Sequence, residues 1–142
     1  MGENSDGKNF GWPTGFFWGT GASSTQCEGA APASDWHAWE LAGKAPKSND
    51  GNGFASRFGE DFEILASLGL THHRLSIEWA RVEPLCGVHD HQAIEHYRTI
   101  LAKAKQLNIK IWVCLHHFTL PKWFADLGGF LVEDNRKTYW SR

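Results

Sequence analysis

Leu70-Thr71-His72-His73-Arg74-Leu75-Ser76-Ile77-Glu78-Trp79 lies near the middle of the chain. Leu75, Ile77 and Trp79 alternate with Arg74, Ser76 and Glu78. That period of two predicts a strand with one apolar and one polar face. Glu83-Pro84-Leu85-Cys86-Gly87 breaks the pattern. Downstream, Ile94, Tyr97, Leu101, Ala104 and Leu107 line one side of a helix over Asp90 to Leu107, with Asp90 placed to cap its N-terminus. Ile109 to Phe118 then reads as an apolar strand, the kind covered on both faces in a parallel sheet. Upstream, Phe58, Phe62, Leu65 and Leu68 recur at helical spacing and predict a helix over Ser56 to Leu68, closed by Gly69. Residues 14–24 read as a short first strand ending in small residues. Glu40 to Gly53 reads as a long loop, and such loops in compact domains are commonly functional. A further loop begins at Pro121, and Asp134 to Arg142 reads as the start of a helix.

Strands alternating with helices imply an α/β chain with a parallel sheet and right-handed crossovers. Taken alone, the order fits either a barrel or a doubly wound sheet. No Gly-x-Gly-x-x-Gly follows the first strand, which argues against a nucleotide-binding sheet.

The 142 residues are enough for one domain with a real core, and 42% hydrophobic with 21% charged residues is a soluble, globular composition. A net charge of -2 points neither to nucleic acid nor to an anionic membrane. Met1 to Asn9 is polar, with no apolar run for a signal peptide or membrane span; a flexible tail over residues 1–11 and a cytoplasmic setting are expected. Cys27, Cys86 and Cys114 have no metal-binding spacing and are expected reduced, with Cys27 and Cys114 in apolar runs expected buried. Most of the eight tryptophans are expected in the core, although such rings also lie against pyranose C–H faces.

Three motifs in order go further. Phe16-Phe17-Trp18-Gly19-Thr20-Gly21-Ala22-Ser23-Ser24-Thr25-Gln26-Cys27-Glu28-Gly29-Ala30 comes first, His73-Arg74-Leu75-Ser76-Ile77-Glu78-Trp79-Ala80-Arg81 second, and Val113-Cys114-Leu115-His116-His117-Phe118-Thr119-Leu120-Pro121 third. Together they resemble the N-terminal part of glycoside hydrolase family 1, the β-glucosidase family, and the resemblance runs from about Trp12 onward. It implies an α/β fold, the N-terminal part of a (β/α)8 TIM barrel. Such barrels take ~250 residues. Residues 1–142 would form one incomplete barrel domain of three parallel strands, two full helices and the start of a third. It implies a retaining β-glycosidase acting on a β-linked glycoside or oligosaccharide, with no metal or organic cofactor.

In that family the acid/base glutamate lies in Asn-Glu-Pro after the fourth strand and the nucleophile in Glu-Asn-Gly after the seventh. Neither tripeptide occurs here, and Glu133-Asp134-Asn135 heads a helix rather than ending a strand. No catalytic residue is therefore expected in this chain, and it is expected to be inactive alone. His116, Phe118 and Thr119 stand where the family usually has Tyr, Trp and Asp, departures that bear on sugar preference and not on the fold.

Barrel active sites form at the C-terminal ends of strands. Gln26 follows the first strand, and its amide can donate to and accept from neighbouring sugar hydroxyls. An exposed loop glutamine is the plainer alternative; the resemblance assigns it to the sugar subsite. Arg74 on the polar side of the second strand needs partners if buried, for which Glu78, Glu28 or a residue outside the chain are candidates. The resemblance makes it the arginine that orients the nucleophile. His116 and His117 would point opposite ways on a strand. The resemblance matches His117 to the sugar-contacting histidine, with Phe118 beside it as a third substrate-binding residue. His72, His73, His116 and His117 lack convergent metal-ligand geometry. Glu28 matches a structural glutamate and is not paired with Glu78 as a catalytic couple; Glu78 is expected in a buried ion pair with Arg74 or Arg81. Trp36 and Trp39 resemble a region that packs under or beside the site, and no catalytic role is assigned to them.

An alternative from a different class is a non-catalytic barrel fragment that binds sugar weakly, or assembles with itself or with a complementary chain through open sheet edges.

Overall fold

The computed structural model describes residues 11–141; the tail expected over residues 1–11 lies, apart from Gly11, outside them. Three strands, β1 (Gly19–Ala22), β2 (His72–Ser76) and β3 (Lys110–Cys114), form one parallel sheet in the order β1-β2-β3. Helix α1 (Ser24–Glu28) follows β1 directly, then α2 (Asp35–Leu41) and α3 (Phe54–Ser67). Between β2 and β3 lie α4 (Trp79–Val82) and α5 (His91–Gln106). After β3 come α6 (Lys122–Asp126), a 3-10 turn (Gly129–Leu131) and α7 (Glu133–Trp140). Adjacent parallel strands joined by helical crossovers are the first units of a (β/α)8 barrel.

The long helices form for the reasons legible in the sequence. Asp90 caps α5: its carboxylate accepts from the backbone N–H of Gln92 at 2.8 Å and of Ala93 at 3.0 Å. Helix α3 ends at Leu68 followed by Gly69 at φ +73, where the N–H groups of Gly69 and Leu70 bond the carbonyls of Ala66 and Leu65. The buried core gathers Phe54, Phe62 and Leu65 of α3, Leu75 of β2, Tyr97, Ile100 and Ala104 of α5, and Ile109. His73 is buried on this helix-covered side, its ring stacked on Phe54 and edge-on to Phe62. The alternation of β2 turns Arg74 and Ser76 to the opposite side, which is the inward face of the barrel wall.

Several expectations change. The first strand shrinks from residues 14–24 to Gly19–Ala22, because the serines after it already start α1. β2 stops at Ser76, and Trp79 opens the helical turn α4, so the alternation through Trp79 is not strand periodicity to its end. The third strand stops at Cys114. Nor is it covered on both faces: Trp112 and Val113 are 58% and 50% exposed, since no described element packs over them. Leu68, expected in the core, is exposed, because it is the residue that caps α3 and turns away from β2. None of the eight tryptophans is fully buried; Trp36, Trp39, Trp79, Trp123 and Trp140 sit on the short helices α2, α4, α6 and α7, and Trp112 on β3, rather than on α3 or α5. Cys27 and Cys114 are only half-buried, Cys86 is exposed, and all three are free thiols.

Candidate functional site

The site is a layer of loops at the C-terminal ends of the three strands. The loops after β1 and β3 are tied together. The Asp35 N–H donates to the Leu120 carbonyl at 2.9 Å, the Leu120 N–H donates to the Asp35 carboxylate at 2.9 Å, and the Lys122 N–H donates to the Ala33 carbonyl at 2.7 Å. The segment after α2 folds back onto α1. Asn52 donates to the Cys27 carbonyl at 3.2 Å, and the Asn49 backbone lies where a side chain at Gly29 would stand. Gly29 holds φ +82, so glycine is required there on both counts. The buried carboxylate of Glu40 accepts from the backbone and hydroxyl of Ser48, pinning this segment.

An open pocket of about 500 Å³ lies in this layer, walled by Gln26, Trp36, Lys47, Ser48 and Phe118. Its size falls in the ~300–1,000 Å³ range of small-molecule clefts. Gln26 is exposed in it, and the Ser23 hydroxyl donates to its carbonyl oxygen at 2.5 Å. Phe118 sits at φ +52, a left-handed conformation strained for a residue with a side chain, and its ring meets Trp36 edge-on at 5.1 Å. Trp36 thus stands in the pocket wall itself.

Arg74 and His117 meet. The Arg74 guanidinium bonds His117 Nδ1 at 3.0 Å and donates to Cys114 Sγ at 2.7 Å and Ser76 Oγ at 3.2 Å. Gln26 stands in α1, directly after β1, Arg74 in β2 and His117 just beyond β3, in strand order. Phe118 links the two halves, next to His117 in sequence and across the pocket from Gln26. His116 turns away against Phe130, with ring centroids 5.1 Å apart. The two histidines diverge as expected, through a bend after β3 and not through strand alternation. Sequence reasoning passed over Ser76 and Cys114; their matched register on β2 and β3 was the signal available.

The expected ion pairs are redistributed. Arg81 pairs with Glu28, Nε to Oε2 at 3.6 Å, and Arg74 makes no ion pair among the described residues. Glu28 also accepts the Tyr97 hydroxyl at 2.9 Å. Burial pushes its carboxyl up from 4.5 to about 7; the Tyr97 hydrogen bond and then the Arg81 charge oppose that shift, and Glu78 adds to it. Glu78 is fully buried and joins neither arginine; three hydroxyls surround it instead. A hydroxyl reaches a buried carboxylate at lower desolvation cost than a guanidinium does. Neither Glu28 nor Glu78 lines the pocket. Burial also lowers His73 from 6.5 to about 4, keeping its imidazole neutral. Among the described residues no three His, Cys, Asp or Glu side chains gather as a metal set.

Comparison with known proteins bears on this layer of loops. The sequence profile of glycosyl hydrolase family 1 matches residues 8–140. The chain is 36% identical to the coniferin beta-glucosidase of Pinus contorta, over 89% of this chain and 26% of that protein. It is 29% identical to the cytosolic beta-glucosidase of Homo sapiens, over 86% of this chain and 29% of that protein. The beta-glycosidase from Pyrococcus horikoshii superposes with a TM-score of 0.83 at 37% identity, over 90% of this chain and 30% of that one. The chain therefore spans less than a third of the length of each of these three relatives.

Proposed function

The chain belongs to glycosyl hydrolase family 1, and on that premise we propose that it forms the sugar-holding part of a retaining β-glycosidase. Gln26, His117 and Phe118 would hold the sugar of a β-linked glycoside, Gln26 and His117 by hydrogen bonds to hydroxyls and Phe118 by its ring against a pyranose face. Arg74 would orient the glutamate that attacks the anomeric carbon, and its positive charge would hold that carboxylate ionised. The attacking glutamate and a second one that protonates the leaving oxygen, ~5–5.5 Å away, would lie in Glu-Asn-Gly and Asn-Glu-Pro, two tripeptides that do not occur in this sequence. The observation that carries the reading is the contact of Arg74 with His117 at 3.0 Å, beside a pocket shared by Gln26 and Phe118. A cytoplasmic setting belongs to the same proposal and rests on composition alone. No described helix is long and apolar enough to cross a membrane.

A second reading is favoured by one observation. Trp112 on the inward face is 58% exposed, and among the described residues β1 and β3 each have a single strand neighbour. A second copy or a complementary chain could cover that face and those edges.

The test of the first reading is a titration with methyl β-D-glucopyranoside followed by NMR. Saturable shifts of the Gln26 side-chain amide and the His117 ring, absent with glycerol and lost in Gln26→Ala, are expected. No saturable shift at about 100 mM, where a ~1 mM complex would be full, would refute sugar binding.

A further inference from the structure

Glu78 is the least accounted-for group in the molecule. It is 1% exposed, and among the described residues its carboxylate makes no ion pair with an arginine or lysine. Its Oε2 accepts from Ser24 Oγ at 2.6 Å, Thr25 Oγ1 at 3.3 Å and Thr119 Oγ1 at 2.8 Å. Its Oε1 accepts from the Ala80 N–H at 3.3 Å, and its own N–H donates to the Tyr97 hydroxyl at 3.1 Å. Five groups from four segments therefore converge on one residue. Burying a carboxylate is costly unless hydrogen bonds replace its water, and the four donors to its two oxygens do so, while Tyr97 satisfies the backbone N–H.

What the hydroxyls belong to gives the arrangement its meaning. Ser24 and Thr25 precede Gln26 in α1, and Thr119 follows His117 and Phe118. A single carboxylate oxygen thus fastens the loop after β1 and the loop after β3 at the residues flanking the pocket. The Asp35 contacts with Leu120 hold the same two loops farther along the chain. Glu78 holds Thr119 and Asp35 holds Leu120, so two adjacent residues just after His117 and Phe118 are anchored, while β3 leads in on the other side. Phe118, at φ +52, directly precedes these two anchored residues. A carboxyl group carries two oxygens that can accept from several donors at once, which a lone amide or hydroxyl at this position cannot match.

We propose that Glu78 is a positioning residue for the sugar site: it touches no substrate, but sets Gln26 against His117 and Phe118 by clamping the two loops that carry them. This rests on the sugar-binding role proposed for those three residues.

Three variants test it: Glu78→Gln, Thr119→Val and Gln26→Ala, each read by amide hydrogen exchange in segments 23–29 and 116–121, by exchange in α5 as reference, and by affinity for methyl β-D-glucopyranoside. Glutamine offers one acceptor where Glu78 uses two, so it must release either the hydroxyls or the Ala80 N–H. Thr119→Val keeps the shape and removes only the hydroxyl of the second loop. The expected result for Glu78→Gln is exchange about tenfold faster in both segments, the usual size for losing a hydrogen bond to a charged acceptor. Exchange in α5 should hold, and sugar affinity should drop by a similar factor. Thr119→Val should loosen segment 116–121 and weaken the sugar likewise. Gln26→Ala should weaken the sugar without altering exchange. Exchange unchanged in Glu78→Gln and Thr119→Val, or rising equally in α5, overturns the clamp whatever the sugar does. Loosened loops in both variants, together with no sugar binding by the wild-type chain, overturn the sugar-binding reading instead.

Discussion

Replacing Glu28 by glutamine should stabilise the chain at pH 8 and leave it unchanged at pH 4.5. Glu28 is buried, and its carboxyl titrates at about 7 in the folded chain against 4.5 when free. Between those values the folded state keeps a proton that the unfolded state has released. The stability tied to this proton is fully present below pH 4.5 and is lost as pH rises through 7. At ~1.36 kcal/mol per pH unit the interval amounts to about 3 kcal/mol. His73 works in the opposite sense. Its folded value of about 4, against 6.5, means its stabilisation is present above 6.5 and lost as pH falls through 4. Between pH 4.5 and 6.5 the Glu28 and His73 slopes oppose each other, and His96 and His116, both lowered by burial, act in the same sense as His73. Glutamine resembles protonated Glu28: its carbonyl can accept the Tyr97 hydroxyl, now 2.9 Å from Oε2. Arg81 keeps the Gly29 carbonyl at 2.7 Å as an acceptor when the charge is gone. Urea unfolding at pH 4.5, 6.5 and 8 measures the difference. Glu28→Gln should match the wild type at 4.5 and exceed it by about 3 kcal/mol at 8, while its own profile rises with pH through the His73 interval. A variant no more stable than the wild type at pH 8, or a gap that does not widen with pH, would refute the reasoning.

Phe62→Ala removes a fully buried ring packed on Phe54, Phe58 and His73; a loss of ~3–5 kcal/mol is expected by urea unfolding. A loss under about 1 kcal/mol would mean that α3 is not seated on β2 as described. The 142-residue chain should not turn over a nitrophenyl β-glucoside, since Asn-Glu-Pro and Glu-Asn-Gly are both missing from it. Turnover near ~1 per second, abolished by a substitution within the chain, would contradict this. Sedimentation across a concentration series should show self-association through the open edges of β1 and β3 and the exposed Trp112 and Val113. A single monomeric species with a sharp melt at every concentration would count against it.

What the sequence by itself determined is the part governed by near neighbours. The period of two through Arg74, Leu75 and Ser76 marks β2, and a 3.6-residue period with an Asp cap marks α5, because these signals are written within one or two turns of chain. The strand-helix order then suffices for a parallel sheet, and the three motifs for the family. The short helices α1 and α2 escaped, being too brief to show a period, and α4 escaped because Trp79 continues an alternation that the backbone has already left. Which partner each buried charge takes was decided only by tertiary structure. Glu78 meets Ser24, fifty-four residues away, and Thr119, forty-one residues away. Nothing in local spacing distinguishes those hydroxyls from Arg74 or Arg81 as partners. Thr119 was visible in the sequence only as an unusual residue beside Phe118; folding shows it donating to Glu78. The physical reason is that hydrogen bonding to a buried carboxylate depends on distance in space, and space between β1, β2 and β3 is set by the sheet and its crossovers, not by any one stretch of chain.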